Sequence, residues 1–161
     1  MTIKVGDHLP SVSLREPSAD GPKTIQSADI MKGRRIVLFA VPGAFTPTCH
    51  RNHLPGFLAN EAALRAKGVD EIAVISVNDV HVMKAWEEAT GAKGKIRFLA
   101  DGNADFARAV GLTFDGAGGG MGVRSQRYAM LVEDGVVKVL NVEDAPGKAD
   151  VSSAGEILKS L

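Results

Sequence analysis

The segment Ile36-Val37-Leu38-Phe39-Ala40-Val41 carries no polar residue and is stopped by Pro42-Gly43. A strand that is apolar at every position, rather than at alternate ones, needs cover on both of its faces. The chain must therefore supply layers above and below a sheet. That requirement points to an α/β architecture rather than a sandwich or a bundle.

The rest of the chain can be read around that strand. Further strands are predicted over Ile72 to Val77 and Ile96 to Ala100. A helix is predicted to start near Thr46-Pro47, because Thr suits a cap and Pro the first helical turn. Leu54, Phe57, Leu58 and Leu64 share one face of it, Pro55 predicts a kink or break, and Lys67-Gly68 closes it. Asn78-Asp79 offers a cap for a helix that carries Val80, Met83 and Trp86 and ends at Gly91. A short helix follows through Phe106 and Val110. Tyr128 to Val132 and Val136 to Leu140 flank Glu133-Asp134-Gly135, a hairpin signal. Ser152 or Ser153 caps a final helix through Ile157 and Leu158. Residues 1 to 35, with Pro10, Pro17, Gly21 and Pro22, read as short strands or hairpins. Alternating strands and helices imply a parallel sheet, and the terminal hairpin makes it mixed. The expected architecture is a thioredoxin-like fold with an N-terminal extension, its mixed central sheet flanked by helices. At 161 residues, one domain over 1–161 is expected.

Charge narrows the function classes. Lys plus Arg and Asp plus Glu are equal at 19 each, so the formal net charge is zero. The basic excess usual in a nucleic-acid binder is missing. No apolar run reaches the roughly 18 residues that cross a bilayer, and the opening residues lack the apolar core of a signal peptide. The expectation is no nucleic acid, no membrane and a cytoplasmic location.

The chain has one cysteine, which excludes an internal disulfide and a CxxC metal site. Cys49 falls in the first turn of the helix that follows the buried strand, at the C-terminal edge of the sheet, where open α/β sheets bind ligands. Unpaired N–H groups and the helix dipole favour a thiolate there. A helix terminus supplies at most about 2 kcal/mol of that preference. Lowering a cysteine pKa from about 8.5 to about 6 needs roughly 3.4 kcal/mol, so a cationic side chain is the natural supplement. Dithiol oxidoreductases carry Cys-x-x-Cys at this position, whereas Thr46-Pro47-Thr48-Cys49 reads Thr-x-x-Cys. A hydroxyl can hydrogen-bond a thiolate or a peroxide oxygen but cannot form a disulfide. The pattern suits attack on a small oxygen substrate.

Pro42-x-x-x-Thr46-x-x-Cys49 resembles the active-site signature of peroxiredoxins. The longer string Pro-Gly-Ala-Phe-Thr-Pro-Thr-Cys, followed by His53-Leu54-Pro55-Gly56-Phe57, is similar to the peroxiredoxin 5-like subfamily. The likeness continues through Ser76-Val77-Asn78-Asp79, Leu99-Ala100-Asp101, Arg124-Ser125-Gln126-Arg127-Tyr128 and Leu140-Asn141-Val142-Glu143. The resemblance implies that Cys49 is the peroxidatic nucleophile and passes through a sulfenic acid. It implies that Thr46 holds the attacked oxygen, that Pro42 shields the sulfur and that Arg127 stabilises the thiolate and polarises the O–O bond, with Arg124 as the rival cation. No metal, haem or flavin is needed, since sulfur carries the electrons. Where some relatives have a resolving cysteine, this chain has Val151-Ser152-Ser153. An external thiol must then close the cycle, with glutathione or glutaredoxin favoured and thioredoxin possible.

Other features have plainer readings. His53, four residues after Cys49, could form a Cys–His pair but reads as a structural hydrogen-bonding histidine, and His50 with His53 lacks the further ligands a metal needs. The Gly116–Gly122 segment matches neither GxGxxG nor a P-loop and reads as a mobile surface loop. Trp86 and Phe106 read as core or interface residues. Phe45 could face a partner subunit, in line with a homodimer. The competing functions are a thioltransferase and a non-enzymatic redox sensor, both using Cys49. A hydrolase is disfavoured because no nucleophile elbow is present.

Overall fold

The computed structural model describes residues 2–161. Its centre is a seven-stranded sheet in the order β2 (Lys23–Gln26), β1 (Ser13–Glu16), β5 (Arg97–Ala100), β4 (Glu71–Ser76), β3 (Arg35–Val41), β8 (Tyr128–Glu133) and β9 (Val136–Val142). Strands β3 (Arg35–Val41), β4 (Glu71–Ser76) and β5 (Arg97–Ala100) pair in parallel, with Phe39 opposite Val74 and Val74 opposite Phe98. β8 (Tyr128–Glu133) and β9 (Val136–Val142) form the expected hairpin, and β8 runs antiparallel beside β3, so the sheet is mixed. At the turn, Asp134 and Gly135 both take positive φ, 48° and 79°, as a type I′ connection requires. The sequence expectation of a thioredoxin-like α/β fold holds.

β3 is covered on both sides, as its composition demands. Val37, Phe39 and Val41 point to one face and pack with Leu54, Phe57, Leu64, Met83, Trp86 and Ile157. Ile36, Leu38 and Ala40 point to the other face and pack with Met31, Phe106 and Val110. The first layer is built from α2 (Leu54–Ala59), α3 (Glu61–Ala66), α4 (Val80–Thr90) and α6 (Ala154–Lys159). The second comes from α1 (Ser27–Met31) and α5 (Asp105–Val110). Trp86 and Phe106 are both core residues. α4 starts where expected, with Asp79 accepting from the N–H groups of His81 and Val82, and it stops at Gly91 in the left-handed region.

Three details depart from the sequence expectation. The long helix after β3 is in three pieces. The backbone turns helical at Pro47, widens into a π turn over Cys49–His53, continues as α2 and restarts after Asn60 as α3. Pro55 explains the widening: it has no N–H to donate, and in a regular α-helix its ring would strike the carbonyl four residues back. Secondly, the glycine-rich segment is the closed tip of a small antiparallel pair, β6 (Thr113–Asp115) with β7 (Val123–Ser125), across which Gly116 N–H donates to Gly122 O at 2.7 Å. Strands of three residues carry too little pattern to be read in advance. Thirdly, the expected N-terminal hairpin, β1 (Ser13–Glu16) with β2 (Lys23–Gln26), which joins the sheet through a single Cα pair, Arg15 with Ala100, is followed by a short helix, α1, that was not expected.

Candidate active site

β3 delivers the chain to Pro42 and Gly43, both buried, and a tight turn then carries it into the helix. Thr46 N–H returns to Gly43 O at 3.3 Å, and Phe45, the third residue of that turn, sits at φ +64°. A non-glycine residue there costs about 1–3 kcal/mol and persists only where the surroundings enforce it. Asn78 helps, its Oδ1 accepting from Ala44 N–H at 2.9 Å. Position 43 is tight: a Cβ there would come within 3.1 Å of Thr46 Cγ2 and 2.9 Å of Arg124 Nη1, so both side chains would have to shift.

Thr46 occupies the cap position before Pro47, but its hydroxyl is not spent on a backbone N–H. Its Oγ1 lies 2.7 Å from Cys49 Sγ and 2.6 Å from Gly43 O. The hydroxyl is therefore committed to the sulfur and to one carbonyl rather than to capping. Cys49 is wholly buried at the edge of the apolar cluster, yet its sulfur is not surrounded by hydrocarbon alone. Arg127 Nη2 donates to Sγ at 3.0 Å. The rival, Arg124, points elsewhere, its Nε donating to Met121 O and its Nη1 to Pro42 O at 3.4 Å. Cys49, Thr46 and Arg127 therefore meet in space, and Pro42 stands at the strand end beneath Arg124.

Arg127 is itself 2% exposed, and its other nitrogens are held. Nε donates to Pro146 O at 3.0 Å and Nη1 meets His53 Nδ1 at 2.9 Å. His53 Nε2 in turn meets Ser152 O at 2.8 Å. Burial, aided by the charge of Arg127 and opposed by the Ser152 bond, holds the His53 imidazole down to a pKa of about 3, so it is neutral. Beyond it, Glu143 Oε2 accepts from the N–H and the hydroxyl of Ser152 at 2.7 and 2.6 Å. Sequence reading missed Glu143, Ser152 and Pro146 as parts of this assembly. They lie within one short segment whose contact with His53 spans 99 residues of chain, so only tertiary folding brings them to the site. His50 is occupied elsewhere, its Nδ1 accepting from the buried Trp86 indole N–H at 3.1 Å. Phe45 is 45% exposed beside it.

Comparison with known proteins places the whole chain in a family. Residues 4–158 match the Redoxin family. The chain is 51% identical over 165 aligned residues to Peroxiredoxin-2E-2, chloroplastic, of Oryza sativa subsp. japonica, covering 99% of this chain and 73% of that protein. Among solved structures, reduced Prx3 of Vibrio vulnificus in complex with H2O2 aligns with a TM-score of 0.94 and 49% identity, covering 99% of each chain. Peroxiredoxin 5 of Alvinella pompejana aligns with a TM-score of 0.87 and 35% identity, over 98% of this chain and 97% of that one. With likeness of this depth in sequence and in fold, the chain belongs to the redoxin family, as a peroxiredoxin of the peroxiredoxin 5-like, type II subfamily.

Proposed function

We propose that this thiol-dependent peroxidase works through Cys49 alone. The observation that carries the proposal is a buried sulfur with a guanidinium at 3.0 Å and a hydroxyl at 2.7 Å. The Cys49 thiolate attacks the terminal oxygen of hydrogen peroxide or an alkyl hydroperoxide. An S–O bond forms, the O–O bond breaks, and the departing oxygen takes a proton and leaves as water or alcohol. Sulfur loses two electrons and becomes a sulfenic acid. Charge leaves sulfur and builds on the departing oxygen, so a fixed cation beside both serves the transition state better than the ground state. Arg127 is that cation, Thr46 the donor that holds the attacked oxygen, and Pro42 part of the shield that keeps water off the sulfur.

No second cysteine exists in the chain to complete the cycle. A thiol from outside condenses with the sulfenic acid, releasing water and leaving a mixed disulfide, and a second thiol frees Cys49. Glutathione with glutaredoxin is our preferred donor. A thioltransferase would have to seat a bulky disulfide against a sulfur with no exposed surface, which favours a small peroxide as the first substrate. The residues act as one unit over 1–161. The unit works as a homodimer with Phe45 near the subunit boundary, a state that sedimentation measures. We keep the cytoplasm as its location, against the chloroplastic name of the rice relative, and imaging of the tagged protein decides between them.

The test is a peroxide-dependent NADPH assay with glutathione and glutaredoxin set against thioredoxin. Cys49→Ser should abolish turnover and leave the circular dichroism spectrum unchanged. Undiminished peroxide consumption by that variant would end the proposal. Faster turnover with thioredoxin would reverse the choice of donor.

A further inference from the structure

We propose that Arg124 is a specificity-determining residue, one that takes the carboxylate of an anionic organic hydroperoxide while Cys49 attacks the O–O bond. This rests on the peroxidase reading above and extends its substrate class to short hydroperoxides with a negative charge near the reacting end.

Arg124 belongs to β7, and its side chain reaches across Pro42 and Gly43 at the end of β3. Its Nε donates to Met121 O at 2.9 Å, and its Nη1 approaches Pro42 O at 3.4 Å, a long contact. Both tethers are neutral carbonyls, which orient the guanidinium and leave its charge uncompensated. Among the described residues Arg124 Nη2 makes no hydrogen bond, and Arg124 forms no ion pair. The other half-buried arginines behave differently. Arg34 pairs with Glu71, Arg35 with Glu133 and Arg97 with Glu16. Drawing a guanidinium partly out of water costs free energy, and a carboxylate on its free edge would recover it.

The guanidinium lies beside the reaction centre. Gly43 has no side chain, and the place its Cβ would take is bordered by Arg124 Nη1 at 2.9 Å, Thr46 Cγ2 at 3.1 Å and Met121 Cε at 3.4 Å. Thr46 Oγ1 in turn lies 2.7 Å from Cys49 Sγ. One side chain, Thr46, thus separates Arg124 from the sulfur, and Met121 brings an apolar methyl group to the same place. The spacing suits a molecule with a hydroperoxide at one end, a few carbon atoms, and a carboxylate at the other. The two arginines then have different tasks. Arg127 faces the reacting oxygens, and Arg124 holds a charge that the reaction does not change. An S–O bond forms, the O–O bond breaks, and the departing oxygen takes a proton and leaves as the hydroxyl of a hydroxy acid.

The experiment compares second-order rate constants for tert-butyl hydroperoxide and for the same molecule with one methyl hydrogen replaced by carboxylate. The proteins are the parent, Arg124→Gln and Arg124→Lys. The ratio of the anionic to the neutral constant should fall about fivefold to fiftyfold in Arg124→Gln, the scale of a partly hydrated hydrogen bond between charged groups. Arg124→Lys keeps the charge and should retain most of the ratio. Raising the ionic strength should compress the ratio more in the parent than in Arg124→Gln. An arginine that only fastened Met121 and Pro42 together would, when lost, slow both peroxides alike, so a ratio equal in all three proteins would overturn the proposal. The same contrast can be read without peroxide, from alkylation of Cys49 by iodoacetate and by iodoacetamide, which are similar in size and differ by one charge. Arg124→Gln should lower that ratio by about threefold or more. A parent protein that shows this alkylation preference yet consumes no peroxide would sink the peroxidase reading and leave the anion site at Arg124 standing.

Discussion

A hydroxyl has one proton to give, and Thr46 Oγ1 stands within bonding distance of both Gly43 O and Cys49 Sγ. While the sulfur is a thiol, its S–H can donate to Oγ1 and the Thr46 proton is free for Gly43 O. Once the sulfur ionises, only Thr46 can supply a hydrogen to that contact, and the hydroxyl turns toward Sγ. The direction of this one bond is thus tied to the charge on the nucleophile. Thr46→Val keeps the side-chain shape and removes the donor, a loss of about 1.5–3 kcal/mol for a bond to a charged group. We expect the peroxide rate constant to fall about tenfold to a hundredfold in Thr46→Val. Thr46→Ser should stay within a few-fold of wild type, and thermal midpoints should be similar for all three. A Val variant as fast as the parent would show that the hydroxyl takes no part in the reaction.

Elements differ in how they are tied to the sheet, and within it the N-terminal hairpin has the shortest pairing. β1 reaches β5 through one Cα pair, and the attachment is reinforced by Arg97, which grips both oxygens of Glu16 at 2.7 and 2.8 Å and also meets Glu71 at 3.1 Å. Such a bidentate pair fixes geometry as well as energy. Arg97→Met retains the aliphatic stem and loses the grip. Amide exchange in Lys23–Gln26 and Ser13–Glu16 should then accelerate several-fold while the peroxide rate constant stays unchanged, because these strands lie across the sheet from Cys49. Unaltered exchange would mean that packing alone holds the hairpin. How legible each element was in the sequence follows from how local its determinants are. β3, the Asp79 cap and the Glu133-Asp134-Gly135 turn rest on adjacent residues and were read directly. Thr46 and Cys49 share one helical turn, so their meeting followed from spacing. The π turn answers to Pro55 together with the packing around Cys49, and periodicity does not report it. The clasp from Glu143 through Ser152 to His53 joins the residue after β9, the approach to α6 and the π turn. No local pattern could announce it, although its end residue, Arg127, was identified from the family motif.

At the scale of the molecule, the buried imidazole makes stability depend on acidity. His53 titrates near pH 3 in the folded protein, against roughly 6.5 for an unperturbed histidine. Between those values the unfolded chain binds a proton that the native state does not, so lowering the pH favours unfolding. The contribution is complete above about pH 6.5 and is lost progressively toward pH 3, with a slope of at most about 1.4 kcal/mol per pH unit. The groups that face His53 sharpen the effect. A proton on Nδ1 would set a donor against Arg127 Nη1, with the Phe39 and Phe57 rings on the flanks and Cys49 one turn away, and none of these can accept it. Other acids titrate over the same range, among them Asp101, whose carboxyl is raised by burial and acts with the opposite sign. The difference between the parent and His53→Asn isolates the histidine. Urea midpoints measured from pH 7.5 to 4.5 should show the parent well ahead at the neutral end and the gap closing as acid is added, because the variant has no imidazole to protonate on unfolding. Curves that stay parallel over this range would mean that His53 is charged, or exposed, in the native protein, and a charged His53 could not hold Arg127 at the sulfur.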